Sequence, residues 1–179
     1  MYTKVLFFFI LILGIVSCKQ NDPNLSKNNS IVTDTIDVED KIDVRSIGET
    51  LLPDSKIKVE NWNEYQQLDQ FLTTFYSISP TEALNLSKEL STITKQLKDS
   101  ISIERFTRPD ISIRINVLNN NVLRLADMAT ISSINSEEVK MEIQSILDAF
   151  SALNAKINNI TSQEKLETEL DTLNLLKIK

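Results

Sequence analysis

The side chains on which most enzyme chemistry depends are scarce in this 179-residue chain: histidine is absent and cysteine occurs once, at Cys18. Ser-His-Asp and Cys-His nucleophile arrangements, helical HExxH sites and histidine-ligated zinc or haem therefore have no material. Glycine occurs twice, as Gly14 and Gly48, which leaves nothing for a Walker-type or dinucleotide-binding loop. Carboxylates are plentiful. The pair Glu137-Glu138 has the chemistry of a general acid and base, but it stands at the start of a predicted helix, where the helix dipole alone favours acids. The cluster Asp34, Asp37, Glu39, Asp40 and Asp43 invites a calcium reading. A helix-loop-helix calcium site needs Gly at its sixth position and Glu at its twelfth, and neither falls in register. A solvated acidic linker is the plainer account, with a cation site the lesser alternative. No catalytic residue, metal ligand or cofactor site is expected, and the chain is not expected to be an enzyme.

One polar constellation remains. Arg114, Asn121 and Arg124 stand seven and three residues apart on a predicted helix and so share a facet. Asparagine is a poor interior helix residue, yet Asn119-Asn120-Asn121 sits mid-helix, so local propensity is overridden there. The plain reading is an exposed face on which Arg124 and Asp127 form a weak pair. The sharper reading sets Arg114 and Arg124 at a groove, bound to acids of a neighbouring helix such as Glu89 or Glu142, or to an anionic ligand or partner.

The sole thiol closes a distinctive stretch. Lys4 precedes an apolar run from Val5 to Val16, and Ile15-Val16-Ser17-Cys18 follows as a cleavage-type tetrapeptide, the layout of a secretory signal. The run is shorter than the roughly 20 apolar residues that span a bilayer, and polar sequence begins at Lys19. On these residues the chain resembles a bacterial lipoprotein precursor, with Ile15, Val16, Ser17 and Cys18 each matching the lipobox. The resemblance implies diacylglycerol on the Cys18 sulfur and cleavage before Cys18, so that residues 1–17 are removed. Two or three acyl chains give stable anchoring where one is marginal. Membrane lipid is thus the first expected partner, and the expected location is the cell envelope. Lys19 and Gln20 are not an inner-membrane retention signal of the Asp type, which leaves the outer membrane, facing either the periplasm or the surface.

Removing Lys4 with the signal makes the formal charge one unit more negative than the −6 of the whole chain. Nucleic acid is disfavoured as a partner, since its affinity comes from Lys and Arg neutralising phosphates. Lys19 to Ser30 has no apolar period and reads as a flexible spacer. Residues 18–49 form the expected tether, and residues 50–179 the folded domain, entered through a turn at Leu51-Leu52-Pro53-Asp54.

The domain itself is written in helical stripes. Asn61 and Glu64 make a capping box before Trp62, Tyr65, Leu68, Leu72 and Phe75. Ser79-Pro80-Thr81-Glu82 starts a second helix with the stripe Ala83, Leu86, Leu90, Ile93, Leu97 and Ile101. Pro109 opens a third, with Ile111, Ile115, Leu118, Val122, Leu125 and Ala129. After Ser136 comes a fourth, with Val139, Ile143, Ile146, Phe150, Leu153, Ile157 and Ile160. The last two seams have the 3.5-residue period of side-by-side packing. Beyond Ile160 the apolar positions Leu166, Leu170 and Leu173 fall out of phase, predicting a short fifth helix or a bent continuation of the fourth.

The expected fold is all-α, an antiparallel four-helix bundle with a short C-terminal extra helix, preceded by a signal peptide and a flexible acidic linker. LLPDSKIKVENWNEYQQL, RLADM and EIQSILDAFSALNAKIN, between Leu51 and Asn159, are also similar to segments of uncharacterised lipoproteins of Bacteroidota. That resemblance implies no activity. The expected function is a membrane-anchored, non-catalytic structural or protein-interaction module with an envelope protein as partner. The alternative is an envelope carrier or sensor that binds a small anionic or apolar ligand between helices near Arg114 and Arg124.

Overall fold

The computed structural model describes residues 45–101 and 104–177, all within one compact unit of the chain, 34–179. Cys18, the signal segment, the acidic cluster and the greater part of the expected tether lie outside the described residues.

Among the described residues every regular element is helical. Helix α1, Pro53–Val59, starts with proline at its first position, where the missing N–H costs nothing. The sequence reading had only a turn here, because a two-turn helix that buries just Ser55 and Val59 shows no apolar period. Helix α2, Asn63–Leu72, is capped by Trp62 with no side-chain bond, so Asn61 is not the cap that its spacing to Glu64 predicts. Tyr65, Leu68 and Leu72 face inward as expected. The α-turns end there, and Thr73–Ser77 tightens into a 3-10 helix that buries Phe75. Thr73 and Thr74 donate their hydroxyls to the carbonyls of Gln70 and Phe71 at 2.6 and 2.9 Å. Those bonds satisfy acceptors that a helix end leaves open.

Helix α3, Pro80–Asp99, begins as its sequence requires, with Ser79 Oγ accepting the Glu82 N–H at 3.3 Å. Its buried row holds Ala83, Leu90, Ile93 and Leu97 together with Ser87 and Thr94. Leu86 and Ile101 are only half covered. Helix α4, Pro109–Met128, buries Ile111, Ile115, Leu118, Val122 and Leu125 completely. Between α3 and α4, a 3-10 turn at Glu104–Phe106 inserts Phe106 against Trp62, with ring centroids 5.8 Å apart.

Helix α5, Ser136–Lys177, runs without interruption for 42 residues, about 60 Å at 1.5 Å per residue. The expected separate C-terminal helix is therefore absent: the apolar register breaks after Ile160 but the backbone does not. No proline or glycine occurs between Ile160 and Lys177, and good helix formers occupy most of the stretch. Thr161, Thr168 and Thr172 return their hydroxyls to carbonyls one turn back. All seven seam residues from Val139 to Ile160 are buried. Helix α4 packs along both α3 and α5, α2 packs on α3, and α1 lies against α5.

A second row on α5 holds the chain that precedes α1. Ser151, Asn154 and Asn158 each follow a seam residue by one position and so form a polar facet beside the apolar one. Ser151 Oγ accepts the Glu49 N–H at 2.7 Å, and Asn154 Nδ2 donates to the Glu49 carbonyl at 3.0 Å. Asn158 accepts from Leu52 N–H and donates to the Thr50 carbonyl, both at 2.9 Å. At its outer end the strap is held by Arg45, whose N–H donates to the Tyr76 carbonyl at 2.8 Å. Residues 45–49, assigned to the tether by composition, are thus fastened to the domain. Gly48 permits this approach: a Cβ there would meet Ser151 Oγ at 2.6 Å and its Cβ at 2.7 Å.

Asn154 also accepts the hydroxyl of buried Tyr65 at 2.7 Å. Replacing it strands two groups, the Tyr65 hydroxyl and the Glu49 carbonyl, whereas removing only the tyrosine hydroxyl strands one acceptor, Asn154 Oδ1, and leaves the Nδ2 bond to Glu49. Asn154→Ala is expected to lower unfolding free energy by about 2–4 kcal/mol and Tyr65→Phe by about 1 kcal/mol, as read by urea denaturation. Equal losses would mean that the link carries no strain of desolvation.

Candidate functional site

Of the three constellation residues the structure joins two, Asn121 and Arg124, and both are engaged from within. Arg124 Nε pairs with Glu142 Oε2 at 2.6 Å, and its Nη2 donates to Asn121 Oδ1 at 3.0 Å. Asn121 Nδ2 in turn donates to the Ser145 carbonyl on α5 at 2.9 Å. These bonds explain the unfavourable mid-helix asparagine: its amide ties α4 to the backbone of α5. Glu142 is 5% exposed and its Oε1 is buried without a hydrogen-bond partner, so Arg124 is what offsets its charge. Arg114 lies nearer the start of α4, outside this network, and donates to the carbonyl of Asp110, one turn back, at 2.8 Å. Near it, Asp110 receives Lys156 Nζ of α5 at 2.7 Å and Arg108 at 3.4 Å. The Lys156 bond, foremost, and the Arg108 bond hold the Asp110 carboxyl below the usual aspartate range.

Among the open concavities elsewhere, two lie on either side of α1. The larger, about 610 Å³, is lined by Thr50 and Leu51 of the strap, Lys56, Ile57, Val59 and Glu60 of α1, and Tyr65, Gln66 and Asp69 of α2. Burial raises the Asp69 carboxyl above its ordinary range, with Lys56 opposing. Burial foremost, and then the Asp69 charge, push the Tyr65 hydroxyl well above the normal phenol range, so it stays a neutral donor to Asn154. The smaller, about 360 Å³, lies between α1 and the C-terminal half of α5, lined by Asp54, Ile57, Lys58, Thr161, Glu164, Lys165, Thr168 and Glu169. Neither concavity includes Arg114, Asn121 or Arg124.

The third feature is apolar. Leu166, Leu170, Leu173, Leu175 and Leu176 on the last four turns of α5 are 55–70% exposed. Their signal was present in the sequence as the break of register after Ile160. Its meaning depended on whether another element covers them, and among the described residues none does. Among those residues also, no helix is long and apolar enough to cross a membrane, and no group of three or more His, Cys, Asp or Glu is placed to hold a metal ion. Comparison with family models, curated proteins and solved structures finds no match for the chain.

Two outcomes follow from the geometry. Arg124→Ala leaves the Glu142 charge unpaired, and because Arg124 itself is more than half exposed the cost is below that of a fully buried pair, about 1–2 kcal/mol in thermal or urea unfolding. Adding Glu142→Leu is expected to recover part of the loss, and full additivity would show the two side chains to be uncoupled. For Asp69, a folded carboxyl pKa above the unfolded one means that its ionisation opposes folding. Asp69→Asn should therefore raise Tm at neutral pH. That advantage should shrink as pH falls through the raised folded value and vanish below the ordinary aspartate range; an advantage that grows toward acid would reverse the assignment.

Proposed function

We propose that this chain is a lipid-anchored, non-catalytic interaction module of the cell envelope, its domain an antiparallel four-helix bundle displayed on a short tether from acylated Cys18. The observation that carries the reading is the row of exposed leucines on α5. Monomeric domains seldom leave contiguous apolar surface of this kind without a partner, and these residues contribute nothing to the core. The lipobox-like Ile15-Val16-Ser17-Cys18, with the absence of histidine, supports the anchored and non-catalytic parts. The strap adds a mechanical reason: the chain arriving from the membrane is hydrogen-bonded to α5 from Glu49 onward. A pull on the tether is met first at Arg45, bonded to the carbonyls of Phe75, Tyr76 and Ile78, and behind it at the bonds that tie Glu49 to the helix bearing the leucines. The carrier reading, with a ligand at Arg114 and Arg124, has no support from geometry, since Arg124 is engaged with Glu142 and Asn121.

The anchor is tested in the native host by Cys18→Ser, which is expected to abolish radiolabelled-lipid incorporation and shift the protein from the membrane pellet to the soluble fraction. Retention in the pellet at the wild-type level would refute lipid anchoring. In the same cells, Leu170→Ser with Leu173→Ser should leave sedimentation and folding unchanged while removing crosslinks from the C-terminal turns of α5. Undiminished crosslinks would refute the leucine row as the contact surface.

A further inference from the structure

The larger concavity, about 610 Å³, carries opposite charges on its two helical walls. Lys56 of α1 and Glu60 at its end stand one turn apart, and Gln66 and Asp69 share a face of α2 three residues apart. Buried Leu51, Val59 and Tyr65 form the floor. Lys56 acts on the Asp69 carboxyl through space only, and among the described residues neither side chain has a hydrogen bond or ion pair. Gln66 Nε2 donates to the Val59 carbonyl at 2.9 Å, which leaves its Oε1 an acceptor without a partner among the same residues. The Tyr65 hydroxyl is committed to Asn154.

Partial burial makes the ionised form of Asp69 costly, and no bonded partner in the fold offsets that cost. The domain treats other covered carboxylates differently, pairing Glu142 with Arg124 and Asp110 with Lys156. A charge kept at a cost to stability inside a concavity of small-molecule size is the mark of a binding site. The arrangement also selects the ligand. A plain anion drawn to Lys56 meets Glu60 and Asp69 as well, and a plain cation drawn to the carboxylates meets Lys56. A molecule with an ammonium at one end and an anion at the other satisfies both walls in a single orientation. Asp69 and Gln66 Oε1 are acceptors, so the cation they fit is a primary ammonium, which donates, and not a quaternary one, which has no N–H.

We propose that the concavity between the strap, α1 and α2 binds a small organic zwitterion, its primary ammonium received by Asp69 and Gln66 and its anionic group by Lys56. That chemistry belongs to a free amino acid and equally to an ethanolamine phosphate headgroup. The site stands apart from the leucines of α5 and from Arg114, Asn121 and Arg124. Thr50 and Leu51 of the strap line it, so occupation also favours the fastened strap.

The test titrates the full chain with glycine, β-alanine, γ-aminobutyrate and glycerophosphoethanolamine, following the backbone amide signals of the strap, α1 and α2 by NMR. Saturable shifts below about 10 mM are expected for at least one of them. Butylamine, butyrate and the quaternary glycine betaine should each bind at least about tenfold more weakly than the best zwitterion. Strongest binding by an amino acid supports the site with a free solute as its ligand, and strongest binding by glycerophosphoethanolamine supports it with a lipid headgroup. Asp69→Asn should weaken the best zwitterion by about tenfold, to the level of butyrate, and Lys56→Gln should weaken it to the level of butylamine. Because Asp69→Asn is expected to raise Tm, its loss of binding is not a loss of folding. The proposal is overturned if no zwitterion gives a saturable shift, if singly charged ligands bind as tightly as the zwitterions, or if both variants bind like the wild type.

Discussion

The strap, α1 and α4 are all referred to one helix, and the constraint that makes this possible is the side-by-side arrangement of two rows on α5. The apolar row from Val139 to Ile160 seals the core, and the polar row Ser151, Asn154 and Asn158 runs one residue behind it. Asn154 joins the rows, accepting from the buried Tyr65 hydroxyl and donating to the Glu49 carbonyl. An asparagine in a core is costly unless its amide is satisfied. Here the strap supplies the acceptor and Tyr65 the donor, so core and strap stabilise each other.

The same economy of partners appears between α4 and α5. Asn121 bonds the Ser145 carbonyl, Arg124 holds Glu142, and Lys156 meets Asp110. Such buried or half-buried polar ties add little net stability over well-packed apolar ones. They do impose a penalty on every other register of α4 against α5. For two helices whose seams are nearly uniform Ile, Leu and Val, that penalty is a source of specificity which packing alone does not supply.

Beyond Ile160 the helix continues with no core to cover. Thr161, Glu164, Lys165, Thr168 and Glu169 line the concavity against α1, Leu166, Leu170 and Leu173 stay exposed, and backbone propensity keeps it helical. These turns are joined to α1 by the exposed Lys165–Asp54 pair.

Helical class, the starts at Pro80 and Pro109, and the buried rows of α2 to α5 were legible in the amino-acid order, because apolar period and proline position are local properties of the chain. So was the lack of histidine and of any second thiol, which leaves site arrangements built on those side chains without their residues. The sequence also marked Arg124 and named Glu142 among its possible partners. What it left undecided depended on distant residues. Whether Arg124 faced a groove or another helix turned on the position of α5. Whether residues 45–49 were free turned on an asparagine more than a hundred positions away. The brief α1, the 3-10 turn at Phe106 and the unbroken α5 each carry a weak or misleading local pattern, and packing or backbone continuity settled them. The leucines of the last turns were visible as a fault in a period. Only the tertiary structure made them a surface, because exposure is a relation between a side chain and all the others that fail to reach it.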